Sequence, residues 1–139
     1  AWADVGGSTP QVLATTRLDE ASCPRAEALA IAPDGQTAAV GCDGGRILKL
    51  ELPSLATRAS AAAPASDDAG PIVTMTFSPD GAELLVGFDS GAIDRIAWAD
   101  ERLARERRAV FGADGLAALS WTEGGLVMRT GGGSVAVLT

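Results

Sequence analysis

The sequence contains no histidine at all. That removes the commonest general base, the Ser-His-Asp and Cys-His arrangements, and every histidine metal site. Aromatic residues make up only 4% of the chain. Cys23 and Cys42 are the two cysteines, too few for a disulfide scaffold and silent about redox compartment. Lys49 is the single lysine, so arginine carries nearly all the positive charge. No apolar run approaches the ~18 residues of a membrane-spanning helix, and membrane insertion is not expected. The first residues, Ala1-Trp2-Ala3-Asp4, show no basic stretch leading into an apolar one, hence no visible signal peptide. An initiator methionine is also missing, which reads as a processed chain, a piece of a longer one, or a partial sequence. Eighteen acidic against 11 basic residues give a net charge of -7, the wrong sign for a nucleic-acid partner.

What the chain has is turns, with 17 glycines and 7 prolines in 139 residues. It also has a repeat. Ala32-Pro33-Asp34-Gly35 returns 46 positions later as Ser78-Pro79-Asp80-Gly81. Short apolar segments flank each turn: Leu29-Ala30-Ile31 and Ala38-Ala39-Val40-Gly41 in the first copy, Met75-Thr76-Phe77 and Leu84-Leu85-Val86-Gly87 in the second. Second turns follow at the same spacing, Cys42-Asp43-Gly44-Gly45 and Phe88-Asp89-Ser90-Gly91, and then the runs Ile47–Leu50 and Ile93–Ile96. A weaker third copy runs from Leu119-Ser120-Trp121 through Gly124-Gly125, Leu126-Val127-Met128 and Gly131-Gly132-Gly133 to Val135–Leu138. The large apolar positions keep one spacing throughout: Ala26, Leu29, Ile31; Ile72, Met75, Phe77; Leu116, Leu119, Trp121.

The apolar runs are too short for helices and are bounded by glycine. Pro-Asp-Gly supplies a preset φ, an Asx-type turn and a positive-φ position. Each copy therefore reads strand, tight turn, strand, tight turn, strand. The segments Gln11 to Leu18, Leu55 to Ala62 and Arg102 to Val110 can each add a fourth strand, with a short helix as the rival in the charged last one. Four antiparallel strands in ~40–45 residues is the size of a propeller blade.

At this point the chain resembles the WD-repeat family. Ile72 to Ile96 is similar to one of its blades, with Phe77-Ser78-Pro79-Asp80-Gly81 followed by Gly87, Asp89 and Gly91, and Ala26 to Leu50 matches the same pattern. The family's Trp-Asp pair falls on Leu50-Glu51, Ile96-Ala97 and Leu138-Thr139, and its Gly-His is missing, so its histidine-centred hydrogen-bond network is incomplete here. The resemblance implies an all-β fold of three β-propeller blades, each of four antiparallel strands, in an incomplete ring. Blade units of about 2–52, 53–98 and 99–139 are expected, with the tetrapeptide Ala97-Trp98-Ala99-Asp100 repeating that at the start. Known propellers close with about four to eight blades. Completion is thus expected from a longer parent chain, oligomerisation or a partner subunit.

The residues offer little chemistry. Pro33, Asp34, Gly35, Pro79, Asp80 and Gly81 read as turn formers, as do Asp43, Gly45, Asp89 and Gly91. A Ca2+ loop at Asp43 or Asp89 would need more oxygen ligands than are present. Gly131–Gly133 lacks the lysine and helix of a phosphate cradle and reads as a strand–strand turn. The inward strand starts offer only Glu27, Ala28 and Val73 for catalysis. No catalytic residue, metal or cofactor is expected. Candidate partner contacts are Trp2, Asp67 and Asp68 in an Ala/Pro/Ser-rich connector, and Arg102, Arg105, Arg107 and Arg108 in a mixed-charge run whose plainer role is a solvated outer strand. Trp98, Trp121 and Phe77 read as inter-blade packing. Cys23 and Cys42 fall toward one end of a hairpin, where a disulfide fits, although two reduced thiols are favoured. The function implied is a non-catalytic protein-interaction scaffold or assembly subunit. A lectin-like homo-oligomer and a metal-dependent propeller hydrolase are the alternatives. The compartment is open, with cytoplasm slightly favoured.

Overall fold

The computed structural model describes residues 23–62, 70–99, 102–110 and 115–138, with side chains omitted at 107–110 and 138. Among the described residues every regular element is a strand. The strands form three antiparallel sheets in chain order. The first contains β1 (Ala26–Ile31), β2 (Thr37–Cys42), β3 (Ile47–Glu51) and β4 (Thr57–Ala61). The second contains β5 (Ile72–Phe77), β6 (Glu83–Phe88), β7 (Ala92–Ala97) and β8 (Arg105–Val110). The third contains β9 (Ala118–Thr122), β10 (Gly125–Arg129) and β11 (Val135–Leu138). The charged segment before Val110 is thus a strand and not a helix. The expected strand over Gln11 to Leu18 lies outside the described residues.

The fourth strand of each complete sheet hydrogen-bonds to the strand before it. β4 pairs with β3 through Ile47↔Ala61 and Lys49↔Ala59, and β8 pairs with β7 through Ile93↔Ala109 and Arg95↔Glu106. The sheets are therefore offset by one strand from the sequence units.

The sheets stack through their first strands, β1 on β5 and β5 on β9. Register explains what each face carries, because residues directly opposite in an antiparallel pair point the same way. In the second sheet Met75, Val86, Phe77, Leu84 and Ile96 share one face. That face packs on Ala28, Ala30, Ala39, Ile47, Ala59 and Ala61 of the first sheet. The opposite face of the second sheet supplies Leu85 and Ile93, which receive Leu119, Met128, Trp121 and Leu126 of the third. Each interface thus sets bulky side chains against a face with small residues, as layers must interdigitate to reach interior density. Phe77 and Trp98 meet edge-on with ring centroids 5.1 Å apart.

Glycine makes the close approach. A Cβ on Gly41 would stand 3.0 Å from Ile72 Cδ1, and one on Gly87 would stand 2.7 Å from Thr74 Cγ2 and nearer still to Leu116. These two glycines occupy the same register position, opposite Ala28 and Thr74.

One expectation is corrected. Cys23 and Cys42 are not reduced thiols but form a disulfide, with Cα atoms 5.2 Å apart. Asp43 N–H donates to Arg25 O at 2.8 Å, which draws the chain after Cys23 back beside the end of β2. The bridge is buried in a cluster with Val40, Leu48, Leu50 and Leu55.

Candidate interaction surface

The two Pro-Asp-Gly turns sit at one end of the blades. Gly35 and Gly81 have φ of 71° and 76°, and their N–H groups donate to Ala32 O and Ser78 O, both at 2.9 Å. Asp34 Oδ1 accepts from Gln36 N–H at 2.9 Å. Asp80 Oδ1 accepts from the Ser78 hydroxyl at 2.6 Å and from Ala82 N–H at 3.0 Å. Ser78 Oγ in turn accepts from Glu83 N–H at 3.0 Å. The Ser78 hydroxyl first, and the Ala82 N–H second, hold the Asp80 carboxyl below its ordinary range. The first turn has Ala32 where the second has Ser78, and so lacks that hydroxyl.

At the other end Gly45 N–H donates to Cys42 O and Gly91 N–H to Phe88 O, both at 2.9 Å. Asp43 and Asp89 are exposed there, and Asp89 N–H donates to Pro71 O at 2.9 Å. Gly131–Gly133 forms a strand–strand turn closed by Gly133 N–H on Thr130 O at 3.1 Å. Glu27 is engaged in joining blades. Its Oε1 accepts from Ile72 N–H at 3.2 Å, and its Oε2 lies 3.7 Å from Arg25.

The candidate partner contacts divide. Trp2, Asp67 and Asp68 lie outside the described residues, as do the side chains of Arg107 and Arg108. Arg102 is exposed. Arg105 is not solvated. Its side chain is 10% exposed and pairs with the 2%-exposed Asp94 at 2.9 Å. It also donates across to the first sheet, to Gly45 O and Ala62 O, and lies over the Phe88 ring. Burying a charge demands a partner of this kind. Asp94 follows from the alternation of β7 only as a polar residue on an apolar face, and its partner stands 11 residues away with a turn between.

Other polar links between sheets stand beside it. Trp98 Nε1 donates to Thr37 Oγ1 at 3.0 Å. Lys49 Nζ donates to Trp98 O at 2.7 Å and lies 5.1 Å above the indole. Thr74 and Thr76 hydroxyls accept from Leu119 and Trp121 N–H, both at 3.2 Å.

Sheets stacked by their first strands, with tight turns at both ends, are the geometry of propeller blades. No family model matches the sequence, and no curated protein is significantly similar to it. Solved structures do match. The Cps50 (Swd1) β-propeller domain of Myceliophteria thermophila superposes with a TM-score of 0.63 at 12% identity, over 86% of this chain and 35% of that one. The RRP9 WD40 repeats match with a TM-score of 0.58 at 18% identity, over 75% and 32%. The three sheets have the fold of β-propeller blades. Hsv2 of Kluyvelomyces marxianus is similar as well, with a TM-score of 0.56 at 15% identity, over 76% and 36%. The chain spans about a third of the length of the solved structures it matches. Its ring is open.

The open ends of the stack are apolar. On the first blade Leu29 and Ile31 are 66% and 52% exposed, and on the third Val135 and Val137 are 67% and 63% exposed. A groove of about 450 Å3 runs beside Leu29, lined by Ala26, Glu27, Val40, Leu50 and Leu55. Exposed apolar residues gathered this way mark protein contact surfaces.

Proposed function

We propose that the chain is a non-catalytic protein-interaction scaffold, a three-blade portion of a WD40-type propeller that works within a larger assembly. The observation that carries this reading is the match to about a third of a propeller domain, combined with apolar side chains exposed on both outer blades. The carboxylates support it too. Asp34 and Asp80 hold their own turns, Glu27 ties β1 to β5, and Asp94 is paired with Arg105. The Cys23–Cys42 bridge favours an oxidising compartment over the cytoplasm. Arg102, which is exposed, is the residue of the mixed-charge run that we propose touches a partner.

The test is affinity capture of the tagged chain from its own source after mild cross-linking, with mass spectrometry of what it holds. Stoichiometric protein partners, reduced by Arg102→Glu, are expected. Stoichiometric Ca2+ on the purified chain, or specific glycan binding, in the absence of protein partners would replace this reading with the hydrolase or the lectin.

A further inference from the structure

The two internal interfaces follow one rule, and the chain carries both halves of a third. In the second and third blades the face bearing Met75 and Phe77, or Leu119 and Trp121, receives the blade before it. The first blade has Leu29 and Ile31 at those positions, exposed along the open groove. On the third blade no described residue of another blade covers the opposite kind of face. There Ala118 and Ser120 stand in register with Arg129 and Val127, as Thr74 and Thr76 do with Gly87 and Leu85.

We infer that the free face of the first blade receives the free face of the third blade of a second copy of this chain, head to tail.

One position singles out this occupant. At both internal interfaces a glycine, Gly41 or Gly87, faces a large residue, Ile72 or Leu116. On the third blade the glycine position is Arg129, which is exposed. On the first blade the position of Ile72 and Leu116 is Ala26, also exposed. The small and large members are exchanged together, so the volume across the contact is kept. Ser120 stands where Thr76 stands, and its hydroxyl takes the N–H of Ile31 as Thr76 takes that of Trp121. A contact between two different patches generates a ring when its rotation closes and an open chain when it does not. Two copies supply six blades, within the range of closed propellers.

This inference rests on the propeller fold and not on the scaffold role, so a monomeric chain that still captures protein partners would sink it alone. The measurement is native mass against concentration, by light scattering and sedimentation, on the whole chain. A particle of twice the 14.0 kDa chain mass, or a larger one, is expected at micromolar concentration. Leu29→Asp on the first blade and Ser120→Arg on the third should each reduce assembly. A mixture of the two variants should form heterodimers, since each keeps the face the other has lost. Arg129→Gly should weaken association about tenfold, and Ala26→Ile added to it should restore it by recreating the internal pair. All four positions are half-buried or exposed, so circular dichroism like that of the wild type is expected and checks folding. A chain that stays at 14.0 kDa overturns the inference, as does assembly indifferent to Leu29→Asp, or an Arg129→Gly defect that Ala26→Ile does not relieve.

Discussion

Replacing Asp94 with alanine should be among the most damaging single changes available to this chain. Its carboxylate is 2% exposed, and it holds the Arg105 guanidinium, itself 10% exposed, at 2.9 Å. Neither group is open enough for solvent to screen the pair. Removing one member of such a buried pair leaves the other charge uncompensated, at a cost of about 3–5 kcal/mol. Arg105 keeps Gly45 O and Ala62 O as acceptors, which places Asp94→Ala toward the lower end of that range, at about 3 kcal/mol. Arg105→Met removes the cation paired with the buried Asp94 carboxylate and also the link to the first blade, so it should cost at least as much. The double variant Asp94→Ala/Arg105→Met removes both charges and should be less destabilised than the sum of the two, with a coupling of about 2 kcal/mol or more. Urea titration followed by tryptophan fluorescence reads all four states, because Trp98 and Trp121 sit in the two blade interfaces. Single variants that each cost less than about 1 kcal/mol, or strictly additive effects, would refute the reasoning.

Three further outcomes are expected. Gly87→Ala should destabilise by about 1–3 kcal/mol, because its new methyl meets Thr74 and Leu116; Gly41→Ala meets Ile72 Cδ1 at 3.0 Å and Ile72 Cγ2 and Met75 Sδ at 3.4 Å, less tightly, and should cost clearly less in the same titration. Reducing the Cys23–Cys42 bridge reopens a loop spanning 19 positions, which loop-closure entropy values at about 3 kcal/mol; the urea midpoint should fall in reductant, and an unchanged midpoint would contradict the bridge. The Asp80 carboxyl should titrate below an ordinary aspartate by NMR, and Ser78→Ala should bring it back up. A carboxyl held below its unfolded value adds stability above that value and loses it as pH falls through the folded one. Wild type should therefore lose its advantage over Ser78→Ala in strongly acidic solution, while an Asp80 titration that Ser78→Ala leaves unmoved would discount the hydroxyl.

Much of this architecture is local and was therefore legible from the chain alone. Pro33-Asp34-Gly35 and Pro79-Asp80-Gly81 fold through contacts within a few residues, and the runs between turns are too short to be anything but strands. Three copies in one spacing then repeat a single interface, which placed Phe77, Trp98 and Trp121 between blades. The assignment of Arg102 to Val110 to a strand needed β7 as a partner, because its charges alternate like either element. The role of Arg105 was hidden for the same reason: its acceptors, Gly45 O and Ala62 O, belong to another sheet, 60 and 43 residues away.

The sequence by itself determined the number of blades, their turns and the side chains that meet between them, since each of these follows from patterns a few residues long. Tertiary structure decided the disulfide, because only the chain folded back through Arg25 brings Cys23 to Cys42. It decided that the fourth strand of a sheet comes from the next sequence unit, a pairing that no periodicity encodes. It also decided that an arginine amid a solvated charge run is a buried strut, because burial depends on what packs from across the interface.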